Sequence, residues 1–290
     1  MAVDQFRPEQ WAAEILVALR NRLVYCGAGI VNRSYEGEIT AAGDTVNITS
    51  IGEVATRAYT EHTDITWDEL SDTQQQLLID QKRYFAFKVD DVEKKQALGG
   101  FIDEASRSAA YGLADNADAV MSAAMYAAVN GTGNDYGAFV ADKSDASAGT
   151  TGSPYNLLVE LRTILNRDNV PDSDRWAICA PEVYAVLLLD PRFIDASHSA
   201  DGGTALRSGF VGRAAGFDVF ESNQTPDPTS GTYAVIAGHP LAATYADQIL
   251  ETEAIRLQNQ FADGVRGLHV FGRKILRAEC LASASVTVQA

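Results

Sequence analysis

Apolar residues recur four apart over residues 5–25, where Trp11, Ile15, Leu19 and Leu23 form a narrow stripe, and this spacing predicts a short amphipathic helix. Pro8 sits where a first turn tolerates a missing amide, and Gly27 and Gly29 end the element. The period then changes. Val46 and Ile48 alternate with Asn47 and Thr49 behind the turn signal Gly43-Asp44, which predicts a strand. After the polar interval from Arg57 to Thr63, alternation resumes at Leu77 and Ile79 and again at Phe85, Phe87 and Val89. Two such runs around a polar tip predict a long β-hairpin with arms of about 15 residues, roughly 50 Å at the strand rise. A two-stranded ribbon of that length is marginal in water and leaves its edges unpaired. It must lie on its own domain or on a neighbouring molecule.

Residues 92–129 carry the longest helical signal. Leu98, Ile102, Ala105, Ala109, Leu113, Asn116, Val120, Ala124 and Ala127 follow the spacing of one face, for a rod of roughly 54 Å. Gly131 to Ser153 is dense in Gly, Ser, Thr and Asp and reads as a loop. Beyond it, helix and strand alternate. Helices are predicted at Tyr155 to Arg167 and Pro181 to Leu189, with a short one opening at His239-Pro240. Strands are predicted at Arg175 to Ala180, Phe217 to Phe220 and Tyr233 to Ala237. From Ile255 onward the chain is strand-rich, with Val265 to Leu276 and Ala282 to Val288 the clearest runs. No tandem repeat suggests a solenoid.

Composition adds constraints. The 290 residues are 46% hydrophobic and 21% charged, enough for a sizeable core without staples. The net charge of −16 repels phosphate, and no basic patch offsets it, which argues against tight nucleic-acid binding. The charge is uneven. Between Glu36 and Gln81 stand Glu36, Glu38, Asp44, Glu53, Glu61, Asp64, Asp68, Glu69, Asp72 and Asp80 against Arg57 alone. Trp11 to Val24 is interrupted by Glu14, Arg20 and Arg22 and reads as an amphipathic helix, not a leader, and no apolar run suits a membrane span. Cys26, Cys179 and Cys280 are scattered, which fits free thiols in a reducing compartment.

No stretch of the sequence carries a recognisable active-site motif. Gly131-Thr132-Gly133-Asn134-Asp135-Tyr136-Gly137 follows a helix, is one residue out for GxGxxG, and has no GK[ST] behind it. His62, His198, His239 and His269 form no metal-ligand spacing, and the loop at Asp142, Ser144 and Asp145 lacks the glycine and the terminal glutamate of a calcium site. Cys179 sits inside the apolar run Trp176–Ala180, where a thiol is inert, and no GxSxG elbow is present. No cofactor, metal or catalytic residue is predicted.

Three segments in order are more telling. They are Asp80-Gln81-Lys82-Arg83-Tyr84-Phe85-Ala86-Phe87-Lys88-Val89-Asp90-Asp91, then Arg175-Trp176-Ala177-Ile178-Cys179-Ala180-Pro181-Glu182-Val183-Tyr184, then Gly264-Val265-Arg266-Gly267-Leu268-His269-Val270-Phe271-Gly272-Arg273-Lys274. With the acidic hairpin between an N-terminal arm and a long helix, they resemble the major capsid proteins of tailed bacteriophages with the Hong Kong 97-type fold. The resemblance covers most of the chain. It implies an α+β fold with an N-terminal arm at 1–35, an extended E-loop hairpin at 36–91 whose acidic part is 36–81, and an axial α/β domain at 155–250. The discontinuous peripheral domain is 92–154 with 251–290, and 92–129 is its spine helix. The arm begins within the first ten residues, with no long scaffolding segment ahead of it, which implies a separate scaffolding protein.

The function so implied is structural: hexamers and pentamers tiling an icosahedral head around double-stranded DNA, held without specific binding, in a virion assembled in the host bacterial cytoplasm. The implied partners are other copies of the chain, a scaffolding protein, a portal at one vertex and a decoration protein. Candidate intersubunit residues are Trp11, Arg20, Arg22 and Arg33 in the arm, Glu53, Arg57, Glu61, Asp64, Trp67 and Asp68 in the hairpin, and Arg266, Arg273 and Lys274 in the last strands. Two rivals differ in what they require. An encapsulin-like cage of the same fold needs a cargo groove on its inner wall, and a soluble α/β enzyme or ligand-binding protein needs a deep polar pocket.

Overall fold

The computed structural model describes residues 24–35, 45–51, 58, 72–90, 101–142, 151–190, 212–257 and 262–289. The predicted arm helix lies outside these residues except for Val24 and Tyr25, which are in a turn. The first strands are β1 (Thr45–Ile51), β2 (Asp72–Leu78) and β3 (Gln81–Asp90). β1 and β2 pair antiparallel from Thr45↔Leu78 to Ile51↔Asp72. Beyond Ile51 and ahead of Asp72 the hairpin lies outside the described residues, Ala58 excepted. Phe85, Phe87 and Val89 do not extend its second arm, because the chain breaks at Ile79-Asp80 and β3 enters a different sheet. Both segments alternate with period two, so periodicity could not tell one long strand from two.

Helix α1 spans Phe101–Val129, and 91–100 lie outside the described residues. Its 29 residues make a rod of about 43 Å. The predicted stripe is one residue out of phase with the buried face. Leu113 is buried as expected, but Val120 and Ala124 are half-buried and Ala127 is exposed. The buried positions are Leu113, Ala114, Ala117, Asp118, Met121, Ser122, Met125 and Val129. Alanines occur on every side of this helix, so its long side chains, Met121 and Met125, select the face.

The predicted loop after α1 contains a strand, β4 (Asp135–Ala141), followed by the short β5 (Thr151–Gly152). Tyr136, Phe139 and Val140 supply the β-forming residues that the flanking glycines obscured. Helix α2 (Pro154–Arg167) opens at Ser153, whose Oγ accepts from the Tyr155 amide at 3.3 Å, and Pro154 fills the first position. It buries Leu157, Leu158, Leu161 and Leu165, and Asn169 at φ 55 lies just beyond its end. Next come β6 (Trp176–Cys179), α3 (Pro181–Leu188), β7 (Arg213–Ala214), β8 (Phe217–Glu221) and β9 (Thr232–Gly238). The helix predicted at His239-Pro240 is a single 3-10 turn. β10 (Ala243–Arg256), β11 (Ala262–Ile275) and β12 (Leu281–Val288) complete the chain. Strand structure therefore begins at Ala243, earlier than the expected Ile255.

Two sheets organise these elements beside the hairpin. Seven strands run in the order β5-β4-β12-β9-β6-β8-β7, and three in the order β10-β11-β3. β6 is buried on both faces, which explains its unbroken apolar run. α2 and α3 touch each other and β12, while α1 touches β9 and β12 of one sheet and β3 and β11 of the other. The larger sheet crosses the boundaries drawn at 154/155 and 250/251, since β12 pairs in parallel with β4 and antiparallel with β9.

Candidate assembly surface

The three-stranded sheet has two different faces. On β3, Lys82, Tyr84, Ala86 and Lys88 point one way and are exposed, Tyr84 to 80%. Phe85 and Phe87 point the other way and stack at 6.2 Å. Phe85 lies opposite Gly267, where any side chain would collide with its ring, so a glycine is required there. At its other end the exposed face is covered by the hairpin base, where Leu77 and Ile79 bury against Val270 and Ala246. The crossing is close: a Cβ on Gly272 would stand 2.7 Å from the Leu78 carbonyl oxygen. The outer edge of β3 is paired with no strand among the described residues. Lysines on an open edge disfavour pairing with a further strand, while the exposed tyrosine between them is of a type enriched where proteins meet.

The candidate contact residues separate on this framework. Arg266 is exposed but donates to Glu253, its register partner, from Nε at 2.9 Å and Nη2 at 2.5 Å. Arg33 donates to Asp247 at 2.7 Å and lies 5.3 Å over the Tyr245 ring. Both are satisfied within the chain. Arg273 and Lys274, near the end of β11, meet no carboxylate among the described residues and keep their charge available. Trp11, Arg20, Arg22, Glu53, Arg57, Glu61, Asp64, Trp67 and Asp68 lie outside the described residues.

Sequence reasoning missed a buried polar group on α1, against the root of the arm. Asp118, 3% exposed, accepts the amides of Val24 and Tyr25 on Oδ2 at 2.7 and 3.3 Å and that of Cys26 on Oδ1 at 3.2 Å. Burial raises its carboxyl above the usual range, and the three amides pull the other way. His269 is fully buried, with Nε2 3.6 Å from Asp247 Oδ2. Nothing in a one-dimensional pattern marks such residues, since an aspartate on a helix normally reads as solvent-facing.

Burial pushes the Cys179 thiol up to about 12 and raises Cys26 and Cys280, so none is a poised nucleophile. A groove of about 780 Å³ runs between Arg33, Trp176, Phe220, His239 and Leu241. Its imidazole is committed: His239 Nδ1 accepts from the Leu241 amide at 3.2 Å, and burial lowers its pKa. Among the described residues no group of ligand side chains could hold a metal, and no helix is long and apolar enough to cross a membrane.

Comparison with known proteins bears on the family and the fold. A family model described as phage capsid protein matches residues 74–284. A structure from Mycobacterium phage Che8 is 28% identical, with TM-score 0.70, and 91% of each chain is covered. The capsid structure of the cyanophage P-SCSP1u is 16% identical, with TM-score 0.67, covering 87% of this chain and 85% of that one. A virus-like particle from Pyrococcus furiosus is 13% identical, with TM-score 0.59, covering 97% of this chain and all of the other. No curated protein sequence matches.

Proposed function

The chain belongs to the phage capsid protein family, whose model spans residues 74–284, and from that premise we propose how this major capsid subunit builds its shell. Its fold is the Hong Kong 97-type α+β capsid fold, and it is a self-associating structural component of a virion. In the proposal, copies form hexamers and pentamers that tile an icosahedral head around double-stranded DNA. They assemble in the host cytoplasm with a scaffolding protein and a portal, and a decoration protein reinforces the finished shell. The observation that carries this is the family match over both sheets, on a fold that the Che8 phage structure shares over 91% of the chain. The cargo-storing cage is not favoured, because the matching family is that of phage capsids.

The acidic segment 36–81 supplies contacts to a neighbouring copy in this scheme, through Glu53, Glu61, Asp64, Asp68 and Trp67. Arg273 and Lys274 are the receiving charges, because Arg33 and Arg266 are already paired within their own chain. Trp11, Arg20 and Arg22 add arm contacts, and Arg57 is the one cation on the hairpin side. Charges so placed set register and partner choice more than affinity. The division of labour in this scheme is an axial α/β domain at 155–250 and a discontinuous peripheral domain, 92–154 with 251–290, that carries α1. A subunit with a net charge of −16 suits a container that holds packed DNA without binding it.

Negative-stain electron microscopy of the purified full chain tests the proposal. Shells or ring-shaped capsomers are expected. Changing Glu53, Glu61, Asp64 and Asp68 together to lysine leaves the monomer folded and stops or misdirects assembly. A monodisperse monomer at every concentration, with the scaffolding protein present as well as absent, sinks the shell, and normal shells from the quadruple variant sink the charge scheme.

A further inference from the structure

The segment from Val24 to Tyr35 joins the two parts of the chain proposed to touch neighbours, the arm before it and the hairpin after it, and a carboxylate from another element holds each of its ends. At the first end three successive amides, those of Val24, Tyr25 and Cys26, converge on the carboxylate of Asp118 in α1. At the second end Asp247 of β10 takes the Arg33 guanidinium at 2.7 Å, and Arg33 also donates to the Cys26 carbonyl at 3.3 Å. The two ends are therefore cross-braced. Between them Ile30 and Val31 are buried, and the Asn32 amide donates to the Ala243 carbonyl while the Tyr245 amide donates to the Asn32 carbonyl.

Asp118 is an expensive way to make a helix face. It stands between Leu113, Ala114, Ala117, Met121 and Met125 on the buried side, where an alanine would continue the stripe at no desolvation cost. The three backbone amides that match its charge all come from the arm root and none from the helix's own neighbours. A concave run of consecutive N–H groups closing on one anion fixes the direction of the chain that carries it. Packing alone would let that chain rotate. The carboxylate therefore specifies an orientation, not merely a contact.

We propose that Asp118 and the Asp247–Arg33 pair form a two-point clamp that sets where the arm enters the body and where the hairpin leaves it, and so governs how one subunit meets the next. Both are positioning residues. The clamp rests on the capsid reading above, and its test separates the two. Full-length wild type, Asp118→Asn and Arg33→Gln are compared by melting, far-ultraviolet circular dichroism and particle size in sedimentation and electron microscopy. Asparagine keeps the size of the aspartate but sets an NH2 group against one of the three amides. Both variants should melt cooperatively with a wild-type spectrum, lose most of their regular shells and give mis-sized or open particles. A merely structural role would shift melting and leave the size distribution of folded protein unchanged. Should Asp118→Asn fail to fold, Arg33→Gln decides alone, because its side chain reaches the surface. Regular wild-type-sized shells from a folded variant overturn the clamp. Failure of wild type to assemble even when co-expressed with the scaffolding protein overturns the assembly scheme and the clamp with it.

Discussion

Arg266 donates from Nε and Nη2 to the same oxygen of Glu253, at 2.9 and 2.5 Å, across the register pair that joins β10 to β11. The guanidinium is 59% exposed and the carboxylate 33%. An open pair of this kind contributes about 0–1 kcal/mol, so a double-mutant cycle on Arg266→Ala and Glu253→Ala should read a coupling in that range. Assembly should survive either change. Arg273 and Lys274 differ because no carboxylate among the described residues neutralises them. Reversing both to glutamate should change the unfolding free energy by no more than about 0.5 kcal/mol, read by urea melts, and abolish shells. Equal assembly of the two sets of variants would remove Arg273 and Lys274 from the interface.

The buried face of α1 gives a sharper test of packing. Met121 and Met125 are fully buried, whereas Val120, one residue from Met121, is only half-buried. Met125→Ala should cost about 2–5 kcal/mol by leaving a cavity, read as a fall in the urea midpoint. Leu113→Asp should be worse, with several kcal/mol of unpaired charge in the core, and give insoluble protein. Val120→Asp should stay soluble. Soluble, assembling Leu113→Asp would mean that the face is misassigned.

Asp118 yields a pH dependence with a definite sign. Burial raises its folded pKa above the unfolded value, so its contribution to stability is present in full below the unfolded pKa and is lost as pH rises through the folded one. Asparagine at that position does not titrate. Wild-type stability relative to Asp118→Asn should therefore be greatest near pH 4 and fall toward pH 7, starting from an ordinary aspartate value of about 3.9. Urea melts of unassembled subunit at the two pH values check this. A difference that instead widens in favour of wild type toward pH 7 would show that the three amides outweigh burial.

What was legible in the sequence follows from how each element is determined. β6 could be read because both of its faces are buried and the apolar run is continuous, and α2 because Ser153, Pro154 and the four leucines act locally. The phase of α1 could not, because its small residues point everywhere and the deciding partner of Asp118 lies in the arm root. The break at Ile79-Asp80 was equally hidden. It exists because Leu77 and Ile79 bury against Val270 while β3 pairs with β11, and neither partner is close in sequence. The candidate contacts divide the same way. Positive charge on the last strands was visible, but that Arg266 and Arg33 spend theirs internally depends on register.

The last prediction concerns covalent bonding between subunits. A Lys–Asn isopeptide bond needs an amine that a neighbour can reach, and between Glu36 and Gln81 the chain has no lysine. Arg57 is its only cation there, and a guanidinium stays protonated and cannot act as the nucleophile. Lys82 and Lys88 are exposed, but they stand on β3, held along its length by pairing with β11 from Gln81↔Phe271 to Asp90↔Ala262. They move with the sheet and not with the hairpin. Disulfide links are disfavoured too, since Cys26, Cys179 and Cys280 are all buried free thiols with raised pKa. The shell should therefore be held by non-covalent contacts alone. Particles boiled in detergent and reductant should run as one band at the 31.1 kDa chain mass. A ladder of higher species that survives this treatment, with a Lys–Asn linkage found by mass spectrometry, would show that β3 itself reaches a neighbour closely enough to react.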